Sequence, residues 1–381
     1  MKNSITPNQI KQNNRNLIYH YIYQHRKVSQ QDICYNLRLS RPTVTTNLST
    51  LEQDGLIEKN GQINTDYVGR KAAAYSIVPN RRVSIGVEIL VNEVKIIFVN
   101  LYGQKIDRLV FAIDFAKEEF YFKTVSDKIL EFKNKLNIND EQILGIGFAM
   151  QGLVSPDRQT IIYGKILSCT GLSIEEFTRY LPYTCYFLHD AECAAISEMW
   201  VSPELKNAFY LSISNHLGAA VISNGEILSG MHGHNATIEH IQMDPNGDLC
   251  YCGKKGCMET LCSLNVLLSK EESLEDFFTH LRQQEEAYQM RWEQFLVQLA
   301  KAINMLHLIH DTDYILGGYL APYLHAEDLS FLHQEIAHMT SFSETPDFLL
   351  ISKMPKHNIT IGAALPFIQT FLDNGTLALD I

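Results

Sequence analysis

The sequence predicts an α/β protein in which a small helical head precedes a larger body of two similar halves. The head and the body differ in charge: residues 1–82 hold 12 Lys/Arg and 5 Asp/Glu, a net +7, whereas the remaining residues hold 20 and 38, a net −18. Within the body, two stretches that begin about 125 residues apart, at positions 83 and 208, repeat one order of strands and turns. A chain of 381 residues is also too long for one compact core, so two or three domains are expected.

The composition excludes several classes of protein. Hydrophobic residues make up 46% and charged residues 20% of the chain, as in ordinary globular proteins. No apolar run approaches the roughly 18 residues of a membrane helix, and residues 1–16 lack the apolar core of a secretory signal. The eight cysteines are too scattered to form a disulfide scaffold in a chain of this length. We therefore expect a cytoplasmic protein without a membrane partner.

The basic head has the pattern of three short helices. Ser29 and Ser40 are placed to cap the second and third helices, and Gly55 is placed to end the third. The third helix should bury one apolar stripe against the other two. Apolar residues at helical spacing predict the buried positions of the first helix, Leu17, Ile18, Tyr21 and Ile22, and of the third helix, Val44, Leu48 and Leu51.

The other face of the third helix is polar and basic, which favours contact with DNA. Short helices, a tight turn and a third helix rich in Arg, Thr and Asn are typical of a helix-turn-helix, whose last helix enters the major groove. Residues 56–78 then predict two strands joined by a turn, a wing with a basic tip. A small helical bundle with a merely basic surface is the alternative. The expected DNA contacts are Ser40, Arg41, Thr43, Thr45, Thr46 and Asn47 of the third helix, and Arg70 and Lys71 of the wing.

The two halves of the body are predicted from repeated strand and turn patterns. Residues 83–106 predict two or three strands, and residues 208–228 predict three strands, of which the last two are joined by an Asn-Gly hairpin. Between them, residues 143–156 predict a buried strand and a loop, and residues 186–200 predict a strand that runs into a helix. Near residue 314 another strand is followed by a glycine turn, a common place for ligands in α/β folds.

One histidine and three cysteines lie close together in the sequence, at His240, Cys250, Cys252 and Cys257. Four ligands of these types favour a tetrahedral zinc ion. With four protein ligands, no position is left for an activated water, so the site is expected to be structural. Buried free cysteines are the alternative. Cys262 is expected in the helix that follows and outside the site.

Several motifs of the body resemble the ROK family, which contains bacterial sugar kinases and sugar-responsive repressors. The pattern CxCGxxGCxE after a histidine is highly specific, and GIGFAMQGLVSP, HDAECAA, NGEILSGMHGHNATIEH and ILGGYLAPY fall in the family's order. The resemblance covers about residues 80–370, and the head resembles the winged helix of the repressor branch. It implies an actin-like (ribonuclease H-like) body of two lobes. The implied domains are 1–80 for DNA binding, 81–188 with the helix 360–381 for the first lobe, and 189–359 for the second lobe with the zinc site.

The resemblance also implies where a kinase of this family would hold ATP, and those positions are altered here. Its Asp-x-Gly-Gly-Thr turn is expected at residues 84–88, where the acid is missing and valine replaces a glycine. Its Gly-Thr-Gly turn is replaced by SNHLG at residues 214–218. Side chains that fill such turns keep the backbone N–H groups from surrounding a phosphate. We therefore expect no enzymatic activity; a ROK-type sugar kinase with an appended head is the alternative.

By the same resemblance, a sugar pocket is expected around the family's Asn-Asp pair. Carboxylates and imidazoles suit paired hydroxyl groups. The expected function is a DNA-binding transcriptional regulator, more narrowly a repressor of carbohydrate-utilisation genes, that binds operator DNA as a dimer or tetramer and senses a sugar or sugar derivative. A vestigial pocket with control by a protein partner is the second alternative. By resemblance, Asp190, His240 and Glu259 map onto the pocket, whereas the motif glutamate falls on Thr237 and His189 takes the place of the Asn. Gln151, His189 and Glu239 are further candidates at the same cleft, and Glu239 either substitutes from a shifted position or faces solvent.

Overall fold

The head consists of three helices and a small antiparallel sheet. A computed structural model describes residues 6–63, 71–342, 347–354 and 356–374 of the chain. The two strands of the expected wing are present, and a short first strand, which the sequence did not predict, pairs with them in the order β1-β3-β2. The elements are α1 (Pro7–His25), β1 (Val28–Ser29), α2 (Gln30–Leu37), α3 (Arg41–Gln53), β2 (Ile57–Ile63) and β3 (Ala72–Ile77).

The helices of the head begin at the predicted caps. Ser29 Oγ accepts a hydrogen bond from the backbone N–H of Asp32 at 3.1 Å, and the Asp32 carboxylate accepts one from the N–H of Ser29 at 2.8 Å. Ser40 Oγ accepts from the N–H of Thr43 at 3.4 Å. These bonds satisfy N–H groups of the first helical turn that have no acceptor within the helix. The predicted starts of α2 and α3 are therefore confirmed.

The core of the head contains most of the expected residues, with one exception in α1. Ile18 and Ile22 are fully buried, but Leu17 is 46% exposed, and Tyr19 is buried in its place. The prediction for Leu17 is wrong because α1 packs against two partners, the head and the body. The ring of Tyr19 meets Phe371 of the body edge to face, with centroids 6.4 Å apart.

The first half of the body is built on a five-stranded sheet with the order β10-β7-β4-β5-β6. The strands β4, β5 and β6 form an antiparallel meander, and β7 and β10 continue the sheet in parallel with β4. One helix, α4, packs on this sheet, and a small hairpin of β8 and β9 follows β7. The elements are β4 (Val83–Ile89), β5 (Glu93–Asn100), β6 (Lys105–Ala112), α4 (Glu119–Lys135), β7 (Ile143–Met150), β8 (Leu153–Val154), β9 (Ile161–Tyr163), α5 (Glu175–Thr178) and β10 (Cys185–His189).

The second half repeats this plan in a sheet with the order β13-β12-β11-β14-β15. Again, three antiparallel strands come first and two parallel strands follow, so the predicted duplication is confirmed. The predicted Asn-Gly hairpin joins β12 to β13, with positive φ at Asn224 and Gly225. The elements are α6 (Asp190–Val201), β11 (Ala208–Ile213), β12 (Leu217–Ser223), β13 (Glu226–Ile227), α7 (Glu259–Cys262), α8 (Leu264–Leu267), α9 (Leu274–Arg282), α10 (Glu286–His307), β14 (Tyr314–Gly317), α11 (Ala326–Met339) and β15 (Leu349–Ile351).

The last described helix, α12 (Asn358–Asn374), crosses the first sheet and reaches the head. It packs on β4, β5, β7 and α6. The approach to β4 is very close: a Cβ atom at Gly86 would lie 1.7 Å from the carbonyl oxygen of Thr360. The other end of α12 joins one apolar cluster with α1. One helix thus contacts both the interior of the body and the head.

The long helix α10 covers the second sheet. Its 22 residues present apolar side chains every three or four positions, the pattern of a helix that is buried on one side only. The buried side of α10 includes Trp292, Phe295, Leu299 and Ile303.

In the described ranges of the chain, no helix is long and apolar enough to cross a membrane.

Candidate functional site

The four predicted metal ligands meet in one cluster beside the second sheet. One donor atom from each of His240, Cys250, Cys252 and Cys257 lies within 4.8 Å of all the others. His240 Nδ1 is 3.8 Å from Cys250 Sγ, and Cys252 Sγ is 3.7 Å from Cys257 Sγ. A tetrahedral ion with metal–sulfur bonds of about 2.3 Å would hold its ligands about 3.8 Å apart. The cluster therefore fits one tetrahedral metal ion, which His240 would bind through Nδ1.

An irregular loop brings these ligands together. Gly256 has a positive φ, and a Cβ atom there would lie 1.4 Å from the carbonyl oxygen of Asp244, so only glycine fits. The backbone N–H of Met258 bonds to the carbonyl of Ile241 at 2.8 Å, which closes the loop. Cys262 lies in the apolar core of the second half, outside the cluster, as the sequence predicted.

An open cleft adjoins the cluster and is lined by both halves of the body. Four of the expected sugar-binding residues line it: Gln151, His189, Asp190 and Glu239. Sequence reasoning missed other lining side chains. A signal was available for two of them, because His216 lies in the segment that replaces a family turn, residues 214–218, and Tyr251 stands between two metal ligands. The missed polar side chains are Tyr163, Lys165, Ser212, His216 and Tyr251.

The parallel strands of the first sheet bring together the residues that were expected around the Asn-Asp pair. Gln151 follows β7, and His189 ends the neighbouring strand β10, where it pairs with Met150. Loops at the carboxyl ends of parallel strands are the usual ligand sites of α/β folds. Asp190 is the first residue of α6, and its Oδ1 lies 3.4 Å from His189 Nε2. The pair can therefore accept and donate hydrogen bonds at the floor of the cleft.

Glu239 and His240 connect the cleft with the metal cluster. Glu239 lines the cleft, yet it is only 7% exposed, and burial raises the pKa of its carboxyl to about 7, with His189 acting in the opposite direction. Glu239 Oε2 and His240 Nε2 are buried and have no hydrogen-bond partner among the described residues. Buried polar atoms normally have partners, so Glu239 Oε2 is suited to bind a ligand in the cleft. His240 is not among the residues that line the cleft, and its Nε2 lies 3.9 Å from Glu239 Oε1. The expectation that His240 also binds the sugar stays a prediction.

Glu259 has a different position from the one expected. Its carboxylate is 6% exposed and accepts a hydrogen bond from the backbone N–H of Leu217 at 2.8 Å. Its other oxygen lies 2.8 Å from His216 Nδ1. Glu259 thus holds the turn between β11 and β12, whose residues line the cleft, while it is not itself among the lining residues.

The place of the first phosphate turn was wrongly predicted. Residues 84–88 lie inside the buried strand β4, and the glycine at position 86 is required by the close approach of α12. The turn that joins β4 to β5 consists of residues 90–92, Leu-Val-Asn, and contains no glycine. The expected position was displaced along a strand whose residues are all apolar or small up to Glu88.

A polar cluster fills the interior next to this turn. Glu88 is buried and accepts hydrogen bonds from Thr360 Oγ1 at 2.7 Å and from Tyr319 OH at 3.4 Å. Lys95 Nζ lies 3.4 Å from Glu88 Oε1 and 3.3 Å from Tyr319 OH. Burial alone would lower the pKa of Lys95, but the Glu88 carboxylate and Tyr319 raise it above its usual value. Lys95 and Tyr319 belong to different halves, so this cluster joins the halves across the cleft.

The expected DNA-contacting face of α3 is exposed, with one exception. Arg41, Thr45 and Thr46 are exposed, and Ser40 and Thr43 form the start of the helix. The prediction that Asn47 is exposed is wrong: the residue is 5% exposed, and its Nδ2 donates to the carbonyl of Thr43 at 2.8 Å. Asn47 lies at the edge of the buried stripe and faces α1.

The wing contributes one described residue to this surface. Lys71 is exposed just before β3. Arg70, the other residue expected at the tip of the wing, lies outside the described residues. Ser49, which the sequence analysis did not select, is also exposed on α3.

Comparison with known proteins gives the family. The sequence model of the ROK family matches residues 84–369. The chain belongs to the ROK family. A second sequence model, described as winged helix-turn-helix DNA-binding, matches residues 13–58. The predicted resemblance is therefore confirmed for both parts of the chain.

Relatives of this ROK protein include named repressors. The chain is 26% identical over 258 residues to the DNA-binding transcriptional dual regulator NagC of Escherichia coli K12. The matched residues make up 67% of this chain and 63% of the relative. It is 24% identical over 266 residues to the xylose repressor of Caldicellulosiruptor bescii. Here the matched residues make up 68% of this chain and 66% of the relative. The chain thus spans just under two thirds of the length of these relatives.

Solved structures confirm the fold. A ROK family transcriptional regulator described as a homologue of the E. coli MLC protein superposes with a TM-score of 0.74 at 21% identity, covering 96% of this chain and 97% of its own. A ROK glucokinase from Streptomyces griseus, solved with glucose and AMPPNP, superposes with a TM-score of 0.65 at 16% identity, covering 74% of this chain and 98% of its own. The predicted fold class, a winged helix-turn-helix on a two-lobed ROK body, is the observed one.

Proposed function

We propose that this protein is a DNA-binding transcriptional regulator, and more narrowly a repressor, whose ROK body senses a sugar or sugar derivative. The observation that carries the proposal is one chain with an exposed, polar α3 face that includes Arg41 on the head and a cleft of hydroxyl-binding side chains in the body. The cleft supplies carboxylates, an amide and imidazoles, which are the groups that bind sugar hydroxyls. The repressor relatives support the same conclusion.

The filled interior beside the cleft supports a regulator over a kinase. The turn at residues 90–92 has no glycine, and the buried Glu88 carboxylate stands next to it. Backbone N–H groups cannot close around a phosphate in such a turn, and a carboxylate repels the anion. The similarity to a glucokinase concerns the fold, which sugar kinases and regulators of this family share. A sugar kinase with an appended head therefore remains only an alternative to be tested with ATP.

Zinc is the metal that the donor set of the cluster favours. Three thiolates and one imidazole at tetrahedral spacing are typical of structural zinc sites, which have no open position for water. When bound, zinc would fix the ring of His240 and the loop that bears Tyr251. The metal would thus hold this ring and this loop in place, so that the side chains that contact the sugar keep their positions.

The contacts of α12 and α1 support a route from the cleft to the head. Thr360, near the start of α12, bonds to Glu88, and Phe371, near its end, meets Tyr19 of α1. Tyr23 OH of α1 donates to the carbonyl of Leu101 at 3.0 Å, and the guanidinium of Arg26 lies 3.5 Å from the ring centroid of Tyr102. A sugar that favours one arrangement of the lobes would change the position of the head and shift the DNA-binding population.

The proposed assembly is a dimer or tetramer on a palindromic or repeated operator. Two heads on one assembly would contact two half-sites in successive turns of the major groove. The division of the chain into a head of residues 1–80, a first lobe of 81–188 with 360–381 and a second lobe of 189–359 belongs to this proposal. In it, sugar binding alters the spacing of the heads.

The test is DNA binding by a variant of the α3 surface. A fluorescent DNA fragment from upstream of the protein's own gene is titrated with the full chain, and anisotropy gives the dissociation constant at several salt concentrations. The substitution Arg41→Ala should weaken binding about tenfold, since a lost base or phosphate contact costs about 1–3 kcal/mol. Wild-type affinity should fall steeply as salt rises, because Lys and Arg displace counterions from DNA.

The matched control is Arg282→Ala, which removes the same charge from an exposed position on the body. It should bind the fragment as the wild type does. Equal affinities of the two variants would contradict the proposed DNA surface. ATP hydrolysis in the presence of a hexose panel would contradict the proposal that this ROK body is not an enzyme.

A further inference from the structure

The turn between β5 and β6, residues 101–104, lies against the head. Tyr23 OH of α1 donates to the carbonyl of Leu101 at 3.0 Å, and the rings of Tyr23 and Tyr102 have centroids 5.2 Å apart. The guanidinium of Arg26, which follows α1, lies 3.5 Å from the centroid of the Tyr102 ring. The face of an aromatic ring attracts such a cation. Tyr102 is therefore a residue of the body that contacts the head through both an aromatic ring and a cation.

The shape of this turn is fixed by Asn100. Its Oδ1 accepts hydrogen bonds from the backbone N–H groups of Tyr102 at 2.9 Å and Gln104 at 3.1 Å. Its backbone carbonyl accepts one from the N–H of Gly103 at 2.9 Å. An asparagine that bonds to the backbone just after it mimics a backbone turn and restrains the residues in it. The ring and the carbonyl of Tyr102 are thus held in one orientation.

Trp200, near the end of α6, contacts the same turn. Its indole N–H donates to the carbonyl of Tyr102 at 3.1 Å. Gly103 has a positive φ, and a Cβ atom there would lie 2.2 Å from Trp200 Nε1, so only glycine leaves room for the indole. Trp200 also packs against the apolar cluster that contains Ile18 and Ile22 of α1. The position of Tyr102 therefore depends on the position of the last turn of α6.

Helix α6 connects this contact with the cleft. Its 12 residues begin at Asp190, which lines the cleft, and end one residue after Trp200. A helix of that length spans about 18 Å. It is also the chain segment between β10 of the first sheet and β11 of the second. A change in the arrangement of the two halves therefore moves α6 relative to at least one of them.

Contacts with α12 hold α6 along its length. A Cβ atom at Gly362 would lie 1.8 Å from the carbonyl oxygen of Cys193, so the two helices approach each other very closely. Ser197 Oγ donates to the carbonyl of Asn358 at 2.6 Å. Closely packed interiors transmit a displacement because they hold little free space to absorb it. A movement at the cleft end of α6 should therefore reach Trp200 at its other end.

We propose that Tyr102 and Trp200 are positioning residues for DNA binding: Trp200 sets the place of the turn 101–104, and Tyr102 holds the head in its DNA-binding orientation. Arg41 and its exposed neighbours on α3 stay accessible while Tyr102 contacts the head, so this contact leaves the DNA surface free. A head that is already oriented loses less freedom when it binds DNA. The inference rests on the proposed function, and it gives the cleft a connection to the head through α6.

The test is operator binding by variants of the full chain. The fluorescent DNA fragment from upstream of the protein's own gene is titrated, and anisotropy gives the dissociation constant, which rises as fewer heads are held in the binding orientation. Trp200→Phe removes the indole N–H and should weaken binding about fivefold. Tyr102→Leu removes the ring beneath Arg26 and should weaken binding about tenfold. Tyr102→Phe should bind as the wild type does, because it keeps the ring.

The matched controls make the same chemical changes away from the head. Trp292→Phe removes an indole N–H that donates to Asp328 Oδ1 at 2.9 Å, and Tyr180→Leu removes a tyrosine whose hydroxyl group bonds to Glu119. Both should keep the affinity of the wild type, even where thermal unfolding shows a lower melting temperature. The salt dependence separates positioning from direct contact. A lost phosphate contact lowers the slope by about one, whereas Trp200→Phe and Tyr102→Leu should keep the slope of the wild type.

A second measurement observes the contact directly. The chain has two tryptophans, so each of the two Trp→Phe variants leaves one of them as a fluorescent reporter. Trp200 is partly exposed and packs beside the head. In Trp292→Phe, operator DNA should reduce the quenching of Trp200 by acrylamide, because DNA favours the oriented head. In Trp200→Phe, the quenching of Trp292 should not respond to DNA.

Failure of this inference differs from failure of the proposed function. If Trp200→Phe and Tyr102→Leu bind the fragment as tightly as their controls, the two residues support only the fold, and DNA binding by the head stands. Quenching of Trp200 that ignores operator DNA would also overturn the positioning role, and it decides the matter if Tyr102→Leu does not fold. If the wild type does not bind the fragment, both the proposed function and this inference are wrong.

Discussion

The metal cluster and the cleft meet at the neighbouring residues Glu239 and His240, but their polar groups are arranged differently. The donor atoms of the cluster point towards one another within 4.8 Å and are ready to surround an ion. The side chains of the cleft line an open space, and Asp190 and His189 remain partly exposed. A change in the cluster should therefore affect folding first, whereas a change in the cleft should affect ligand binding first. Substitutions on either side, and between the two, test this difference.

The largest effect is expected for Cys257→Ser. Loss of one of four ligands should release the metal and lower the free energy of unfolding by about 3 kcal/mol or more, because metal binding contributes directly to folding. Sugar binding should be lost with it, since His240 would no longer be held. Elemental analysis and thermal unfolding measure the first two effects, and calorimetry measures the third. Cys34→Ser in the head is the control and should keep its metal. Metal loss with normal sugar binding would show that the cluster holds the fold alone.

Asp190→Ala should have the opposite profile. Removal of a charged hydrogen-bond partner costs about 1.5–3 kcal/mol, so sugar affinity should fall by about 10–100-fold. The melting temperature and the metal content should stay near those of the wild type, because Asp190 is partly exposed and is not one of the four donor residues. Asp127→Ala on α4 removes an exposed carboxylate as a control. Unchanged sugar affinity would remove Asp190 from the site.

Glu259→Gln tests the connection between the two regions. The amide can accept one of the two hydrogen bonds to Leu217 and His216, so stability should fall by about 1–2 kcal/mol, with a moderate loss of sugar affinity and no loss of metal. The control is Glu285→Gln, which alters another Glu–His pair. In that pair Oε1 of Glu285 lies 2.6 Å from Nδ1 of His280, and both side chains are exposed. That pair should contribute little. Similar effects of both substitutions would mean that burial of Glu259 has no special role.

The smallest effect is expected for Tyr319→Phe. The hydroxyl group joins Lys95 and Glu88 across the two halves, and its loss should lower stability by about 0.5–1.5 kcal/mol. Metal content should not change, because none of these three residues belongs to the metal cluster. Chemical denaturation resolves a difference of this size, with Tyr35→Phe at an exposed position as the control. A metal content below that of the wild type would contradict the separation of the two regions.

All four side chains of the metal cluster could be predicted from the sequence, whereas only four of the side chains that line the cleft could. All four ligands lie between residues 240 and 257, so their spacing alone brings them together. The cleft combines segments from Gln151 to Tyr251, and the contact of Lys95 with Tyr319 joins residues 224 positions apart. Such contacts depend on how strands pair and halves pack, which a single sequence does not state.

The errors of the sequence analysis have the same origin. Helical periodicity identified the buried stripes of α1 and α3 but not their edges, where Leu17, Tyr19 and Asn47 lie. The side on which each edge residue falls depends on a second partner, α12 for Tyr19 and α1 for Asn47. The first phosphate turn was misplaced because β4 is buried on both faces and lacks the alternation that would mark its end.

The position of α12 has a consequence for the synthesis of the chain. The strands β4, β5 and β7 are complete once Met150 has been added, but the helix that covers their face begins at Asn358, about 208 residues later. A ribosome that adds about 5–20 residues per second needs roughly 10–40 s for that interval. During this time these strands can pair, but α12 is not yet present to cover their face. The apolar residues that later contact α12 are therefore accessible to chaperones. The first sheet is therefore synthesised early, but its packing is completed only after the end of the chain has been added.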